Sequence, residues 1–165
     1  MENIYSEIKF EKQPRMRIAR YVIISPNPEC DVMNYMDNWA EKSGLLEVAD
    51  FTPRKIGWDF HCVSEEQKTQ FNLRGYVYCY TLPEDFTPKC DGAEIAYIEA
   101  DEYAVLRITD PFADPFARIG GGWQKVFDYV QNSEYKTKVW DNRYCFEEII
   151  EIDGVTYMDI YIPTR

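Results

Sequence analysis

Residues 145–163 read Cys145-Phe146-Glu147-Glu148-Ile149-Ile150-Glu151-Ile152-Asp153-Gly154-Val155-Thr156-Tyr157-Met158-Asp159-Ile160-Tyr161-Ile162-Pro163. Asp-Gly between two β-rich runs signals a two-residue hairpin, because both central positions of that turn need positive φ. Such a turn pairs Ile152 with Val155 and, counting outward, Ile149 with Met158 and Glu147 with Ile160. Cross-strand partners share a face, so Glu147 is expected among Cys145, Ile149, Met158, Ile160 and Ile162. Glu148 falls with Phe146, Tyr157, Asp159 and Tyr161 on the other, more polar face. One acid is thereby placed on an apolar surface, where a carboxylate without a partner is costly or takes up a proton. A three-residue loop would slip the register by one and exchange the two glutamates.

Outward from this hairpin the chain reads as two related halves, about 1–88 and 89–165, within one domain. In the first, residues 4–11 alternate, with Ile4, Ser6, Ile8 and Phe10 on one face, and Pro14 precedes a strand at Met16–Ile24. Asn27-Pro28 then starts a helix, with Asn as N-cap and Pro at the first helical position. Its apolar stripe is Val32, Tyr35, Met36, Trp39 and Ala40, and Gly44 ends it. Strands follow at Arg54–Phe60 and Arg74–Leu82. The second half repeats the order: strands at Ala93–Glu99 and Tyr103–Thr109 around an Asp101-Glu102 turn, then a helix opened by Asp114-Pro115. Phe116, Ile119, Trp123, Val126, Phe127 and Val130 recur there at spacings of three and four. The hairpin supplies the last two strands. The expected fold is α+β: duplicated strand-helix-strand-strand modules forming an antiparallel sheet, with two main helices and a ligand groove between them.

A chain of 165 residues can bury a sizeable core. Aromatic residues make up 16% of it, enough rings to fill that core and still line a cavity. The net charge of -11 argues against direct nucleic-acid binding, which needs clustered Lys and Arg, and favours cationic ligands. Cys30, Cys62, Cys79, Cys90 and Cys145 are scattered, with no CxxC, and the single histidine, His61, cannot complete a zinc site with them. No metal or cofactor is expected, and the cysteines read as small buried hydrophobes of a reducing compartment. The charged N-terminus lacks an apolar signal region and no run is long enough to span a membrane. A cytoplasmic protein is expected.

Several motifs invite chemistry. Gly120-Gly121-Gly122 interrupts the second helix before Trp123, and each glycine there costs about 1 kcal/mol relative to alanine. Either something approaches the helix closely, or the helix starts late. A phosphate cradle is not expected, because no Lys-Ser/Thr follows and the strand-to-helix context is wrong. Trp39, Trp58, Trp123 and Trp140 are each core residues before they are cage residues. Tyr76, Tyr78 and Tyr80 share one face of a strand, as a ring-lined wall or as ordinary packing. His61 reads as a polar loop residue in preference to a haem ligand, and nothing around it resembles a nucleophile site. Asp101-Glu102, Glu65-Glu66 and Glu84-Asp85 read as solvated turn or loop acids. Glu147 remains: a buried carboxylate among rings attracts a lipophilic cation, or acts as a general base if its pKa is raised.

Five segments, in order, resemble the GyrI-like or AraC-type effector-binding domain, which also forms the multidrug-binding half of some MerR-type regulators. They are Pro14-Arg15-Met16-Arg17-Ile18-Ala19, Lys55-Ile56-Gly57, Ile98-Glu99-Ala100-Asp101-Glu102-Tyr103-Ala104-Val105, Tyr144-Cys145-Phe146-Glu147 and Asp159-Ile160-Tyr161-Ile162-Pro163. The chain departs from that pattern at Glu99-Ala100-Asp101-Glu102, where the family often has Pro-Ala-Gly, and at Asp110-Pro111, where it often has Gly-Pro. The resemblance implies two modules about a pseudo-twofold, a groove glutamate at Glu147 and a neighbouring pocket position at Ile149. The leading reading is a binding protein for a hydrophobic, cationic or polyaromatic small molecule, and from the chain's own aromatic residues Trp39, Trp58, Trp123 and Tyr78 are the expected rings. A regulator protein is a candidate partner. No helix-turn-helix precedes the domain, so DNA binding by this chain itself is not expected. Some relatives hydrolyse cyclopropane-containing genotoxins, which makes an enzyme the alternative, with Glu147 as its catalytic residue activating water. A protein-binding inhibitor module is the second alternative, and it predicts an exposed apolar patch in place of a pocket.

Overall fold

The computed structural model describes residues 3–135 and 145–164. Within them the strands are β1 (Lys9–Gln13), β2 (Met16–Ser25), β3 (Lys55–Phe60), β4 (Arg74–Thr81), β5 (Glu94–Ile98), β6 (Asp101–Thr109), β7 (Phe146–Ile152) and β8 (Val155–Pro163). The helices are α1 (Pro28–Lys42), α2 (Glu65–Phe71) and α3 (Pro115–Gln131). The fold is α+β with antiparallel pairing. Two compact units emerge: Met16–Ile98, and Met1–Arg15 with Glu99–Arg165.

The sheet of Met16–Ile98 runs β3-β4-β2-β5, and that of the other unit runs β7-β8-β6-β1. These are the same order once one exchange is recognised: β1 pairs with β6, and β5 pairs with β2. Each unit therefore takes its edge strand from the opposite half of the sequence repeat. The exchange corrects one expectation. β5 and β6 do not form a hairpin around Asp101-Glu102; those two residues open β6 and lie opposite Gln13 and Lys12. Ala100-Asp101-Glu102 has no glycine to take the positive φ a tight hairpin requires, whereas β6 gains ladders on both edges, to β1 and β8. Before β1, residues 4–6 already lie along β6, with Thr109 N–H donating to Ile4 O and Ser6 N–H to Arg107 O (2.8 and 2.9 Å).

The closing hairpin forms in the expected register, Ile152 opposite Val155, Ile149 opposite Met158 and Glu147 opposite Ile160. Asp153 and Gly154 both have positive φ, 52° and 80°, as the two-residue turn demands. Helix α1 starts at Pro28 and buries Val32, Met36, Trp39 and Ala40; Gly44, at φ 86°, turns the chain after it. Asn27 occupies the N-cap position without a side-chain bond to the helix.

Helix α2 stands where Glu65-Glu66 read as loop acids. Ser64 and Gln67 close a reciprocal capping box, but the helix buries none of its residues, so no apolar period marks it in the sequence.

In α3 the glycines are helical, which removes the late-start reading. Gly122 is buried, and a Cβ there would come within 2.6 Å of Ile108 Cδ1 and 3.1 Å of Ile160 Cδ1. A Cβ on Gly121 would collide with the Tyr5 hydroxyl, while Gly120 faces open space. The close approach is thus made by the protein's own sheet and N-terminal segment. The core of this unit is Ala104, Leu106, Ile108, Met158, Ile160 and Ile162 beneath Val126 and Val130, with Ile119, Trp123 and Phe127 packed partly buried against it. Phe116, at the head of the expected stripe, is 95% exposed.

Gly122→Ala should lower stability by about 1 kcal/mol, overpacking outweighing the gain in helix propensity. Gly120→Ala should raise it by about 0.5–1 kcal/mol. Thermal melts of the two variants check the opposite signs.

Candidate functional site

Glu147 projects from β7 onto the face covered by α3. The indole N–H of Trp123 donates to Glu147 Oε2 at 2.9 Å. Helical spacing explains the meeting: Gly122, Val126 and Val130 point down to the sheet, so Ile119, Trp123 and Phe127 fall on one flank of α3. Cys145 and Ile149 pack, partly buried, against the same core cluster as Trp123 and Phe127. A half-buried carboxylate in apolar surroundings thus has a donor with a large ring attached. The arrangement suits a ligand with an apolar body and a positive charge, through Coulomb attraction in a partly dry site and the ring face of the indole.

The opposite face of the hairpin, expected to be the more polar one, is largely closed to solvent. Glu148 and Asp159 are each only 6% exposed, more buried than Glu147. Three rings close over that face: Phe146 stacks on Tyr161 with centroids 4.4 Å apart, and Tyr103 meets both edge-on. The polar groups there have partners. Tyr161 donates its hydroxyl proton to Glu148 Oε1 at 2.9 Å, and Arg107 grips Asp159 with two bonds of 2.7 and 2.9 Å. Paired in this way, the acids knit β6, β7 and β8 together.

In Met16–Ile98, Tyr76, Tyr78 and Tyr80 are buried on one face of β4. Tyr76 occupies the space that the missing side chain of Gly57 leaves on β3. Tyr80 hydrogen-bonds Asp37 of α1, which marks this as the helix-covered face. Burial pushes the Tyr78 hydroxyl pKa well above its usual value, and the neighbouring Tyr80 and Asp37 add to the shift. Burial likewise raises that of Tyr80, followed by its hydrogen bond to Asp37. Trp39, on α1, is buried and its indole N–H has no acceptor. Trp58 lies opposite Val77, on the other side of the sheet from Tyr78, which lies opposite Gly57.

Of the expected site residues, the structure therefore brings Glu147 and Trp123 into contact, with Ile149 packed on the same core. Trp39 and Tyr78 fall on the helix-covered face of Met16–Ile98, and Trp58 falls on its other face. Trp140 and Tyr144 lie outside the described residues. His61 is exposed just after β3. The cysteines differ from expectation: only Cys79 is buried, and Cys30 and Cys62 are exposed. Among the described residues, no group of three or more His, Cys, Asp or Glu is arranged to hold a metal, and no helix is long and apolar enough to cross a membrane.

A duplicated α+β chain of this topology has the architecture of an effector-binding domain. The chain belongs to the integron-associated effector binding protein family (Cass2), whose sequence profile matches residues 9–164. That agrees with the GyrI-like resemblance of its motifs. Among solved structures it is similar to the C-terminal domain of EcmrR (TM-score 0.69, 11% identity, 99% of each chain covered). It also matches EcmrR in an EcmrR-DNA complex (EcmrR-RPo; TM-score 0.67, 10% identity), spanning 97% of this chain but only 57% of that one. A third is SAV2435 bound to tetraphenylphosphonium (TM-score 0.54, 9% identity, 97% of this chain and 94% of that one). At these identities the likeness is one of fold. No curated protein matches the chain.

The tyrosine pair gives a pH dependence. Folded, both hydroxyls keep their protons to higher pH than in the unfolded chain, so the stabilisation is whole below about pH 10 and is lost as pH rises through the raised values. Urea melts between about pH 9 and 12 should show wild type losing stability more steeply than Tyr78→Phe or Tyr80→Phe.

Proposed function

We propose that this chain is a receptor for a hydrophobic, cationic or polyaromatic small molecule, with Glu147 as its charged anchor. The observation that carries this reading is the bond between Trp123 and Glu147, which holds a carboxylate beside an indole on an otherwise apolar face. A cation drawn to the carboxylate meets a ring already in place, so little ordering accompanies binding. Ile149 and Phe127 extend the apolar surface beside it. The family description, an effector binding protein, supports small-molecule binding, and a neighbour of the same fold has been solved with a lipophilic cation. The net charge of -11 favours the cation over its anionic counterpart.

The test is calorimetric titration with tetraphenylphosphonium, neutral triphenylphosphine oxide and anionic tetraphenylborate, with each probe recovered and weighed by mass spectrometry. The expected order is cation, neutral, anion, and Glu147→Gln should weaken the cation about tenfold while sparing the neutral compound. Equal affinities, or an unaffected variant, would remove Glu147 as the anchor. A changed mass would replace the receptor by an enzyme. Trp123→Phe should also weaken the cation, by replacing the indole ring face with a smaller one and removing the bond that positions the carboxylate. The same titration of Trp39→Phe, Trp58→Phe and Tyr78→Phe tests the rings expected from residues 16–98.

A further inference from the structure

Helix α3 has a second flank. Arg118, Gly121, Lys125 and Tyr129 follow one another at spacings of three and four on the side away from Trp123, facing the N-terminal segment. Between that flank and the segment runs a cleft of about 490 Å³, lined among others by Tyr5, Glu7, Ile8, Leu106, Lys125 and Tyr129. None of these residues belongs to the Glu147 site, and the volume is in the range of small-molecule pockets.

The cleft is built on fixed parts. Tyr5 donates its hydroxyl proton to Arg118 O at 2.8 Å and lies over Gly121, where any side chain would displace it. Lys125 Nζ stands 5.4 Å from the centre of the Tyr5 ring. Leu106, from the core of the sheet, forms an apolar floor with half-buried Ile8. Tyr129 supplies a second ring and packs against Phe10, centroids 6.0 Å apart. Two charges line the cleft, the Lys125 ammonium and the Glu7 carboxylate, and among the described residues neither forms an ion pair.

We propose that this cleft binds a zwitterionic aromatic small molecule of the amino-acid type. Its carboxylate meets Lys125, its ammonium meets Glu7, and its ring lies between Tyr5 and Tyr129 over Ile8 and Leu106. A ligand with one charge alone leaves the unmatched residue facing it unpaired or repelled; a ligand with both satisfies both walls. The apolar floor and paired rings select an aromatic side chain over a polar one.

The proposal is tested on the full chain by fluorine NMR titration with 5-fluoro-L-tryptophan, in competition with indole-3-propionate, which lacks the amine, and tryptamine, which lacks the carboxylate. Saturable binding of the zwitterion is expected, with each singly charged analogue about fivefold weaker. Lys125→Met and Glu7→Gln, both at exposed positions, should each weaken the zwitterion by a similar factor. Glu147→Gln should leave it unchanged. Absence of saturable binding, equal affinity for the three probes, indifference to both cleft substitutions, or loss of binding in Glu147→Gln would each overturn the assignment. The analogue series needs no substitution, so the outcome does not depend on any variant folding.

Discussion

Helix α3 lies on its sheet at the distance that Gly122 permits, with Ile108 and Ile160 filling the space a side chain would take. That contact fixes both the height and the rotation of the helix. With residues 122, 126 and 130 turned down, one flank must present Trp123 toward Glu147 and the other must present Gly121 and Lys125 toward Tyr5. A helix rotated by one residue, about 100°, would separate the indole from its carboxylate and, in one sense, drive Trp123 into the space that Ile108 and Ile160 fill. The glycine run, costly to a helix in isolation, is what allows two different surfaces to be built on its two sides.

The duplication is resolved by exchange. Each unit carries the order edge, second, fourth, third, yet β1 and β5 have traded places between the halves of the sequence. The trade gives β6 and β2 partners on both edges, so their backbone groups are satisfied within a ladder. Local turn chemistry gives only half of this: the missing glycine at Ala100-Asp101-Glu102 disfavours a tight hairpin, but nothing local names β1 as the partner that β6 takes instead.

The two glutamates of the hairpin show how far alternation carries. It separated Glu147 from Glu148 correctly, since a strand can only send them to opposite faces. It could not say which face is the drier. Glu148 is the more buried of the pair because Phe146, Tyr161 and Tyr103 stack over it, and two of those rings belong to other strands. A hydroxyl from Tyr161 and the Arg107–Asp159 pair make the burial tolerable, as a lone carboxylate's would not be.

What the chain determines by itself is whatever a short window can satisfy. Asp153-Gly154 sets the hairpin register through two positive φ angles, Pro28 and Gly44 bracket α1, and the 3.6-residue period marks the buried faces of α1 and α3. The short α2 has its signal too, in Ser64 and Gln67, though it buries no side chain that a periodicity could reveal. Tertiary structure decided the rest: that Trp123 is the partner of Glu147, that Tyr5 sits on Gly121, that Trp58 and Tyr78 face opposite ways, and that β1 and β5 exchange. Each of these joins residues distant in the chain through packing or a shared hydrogen bond. Such contacts depend on how whole elements seat against one another, which no local pattern of residues encodes.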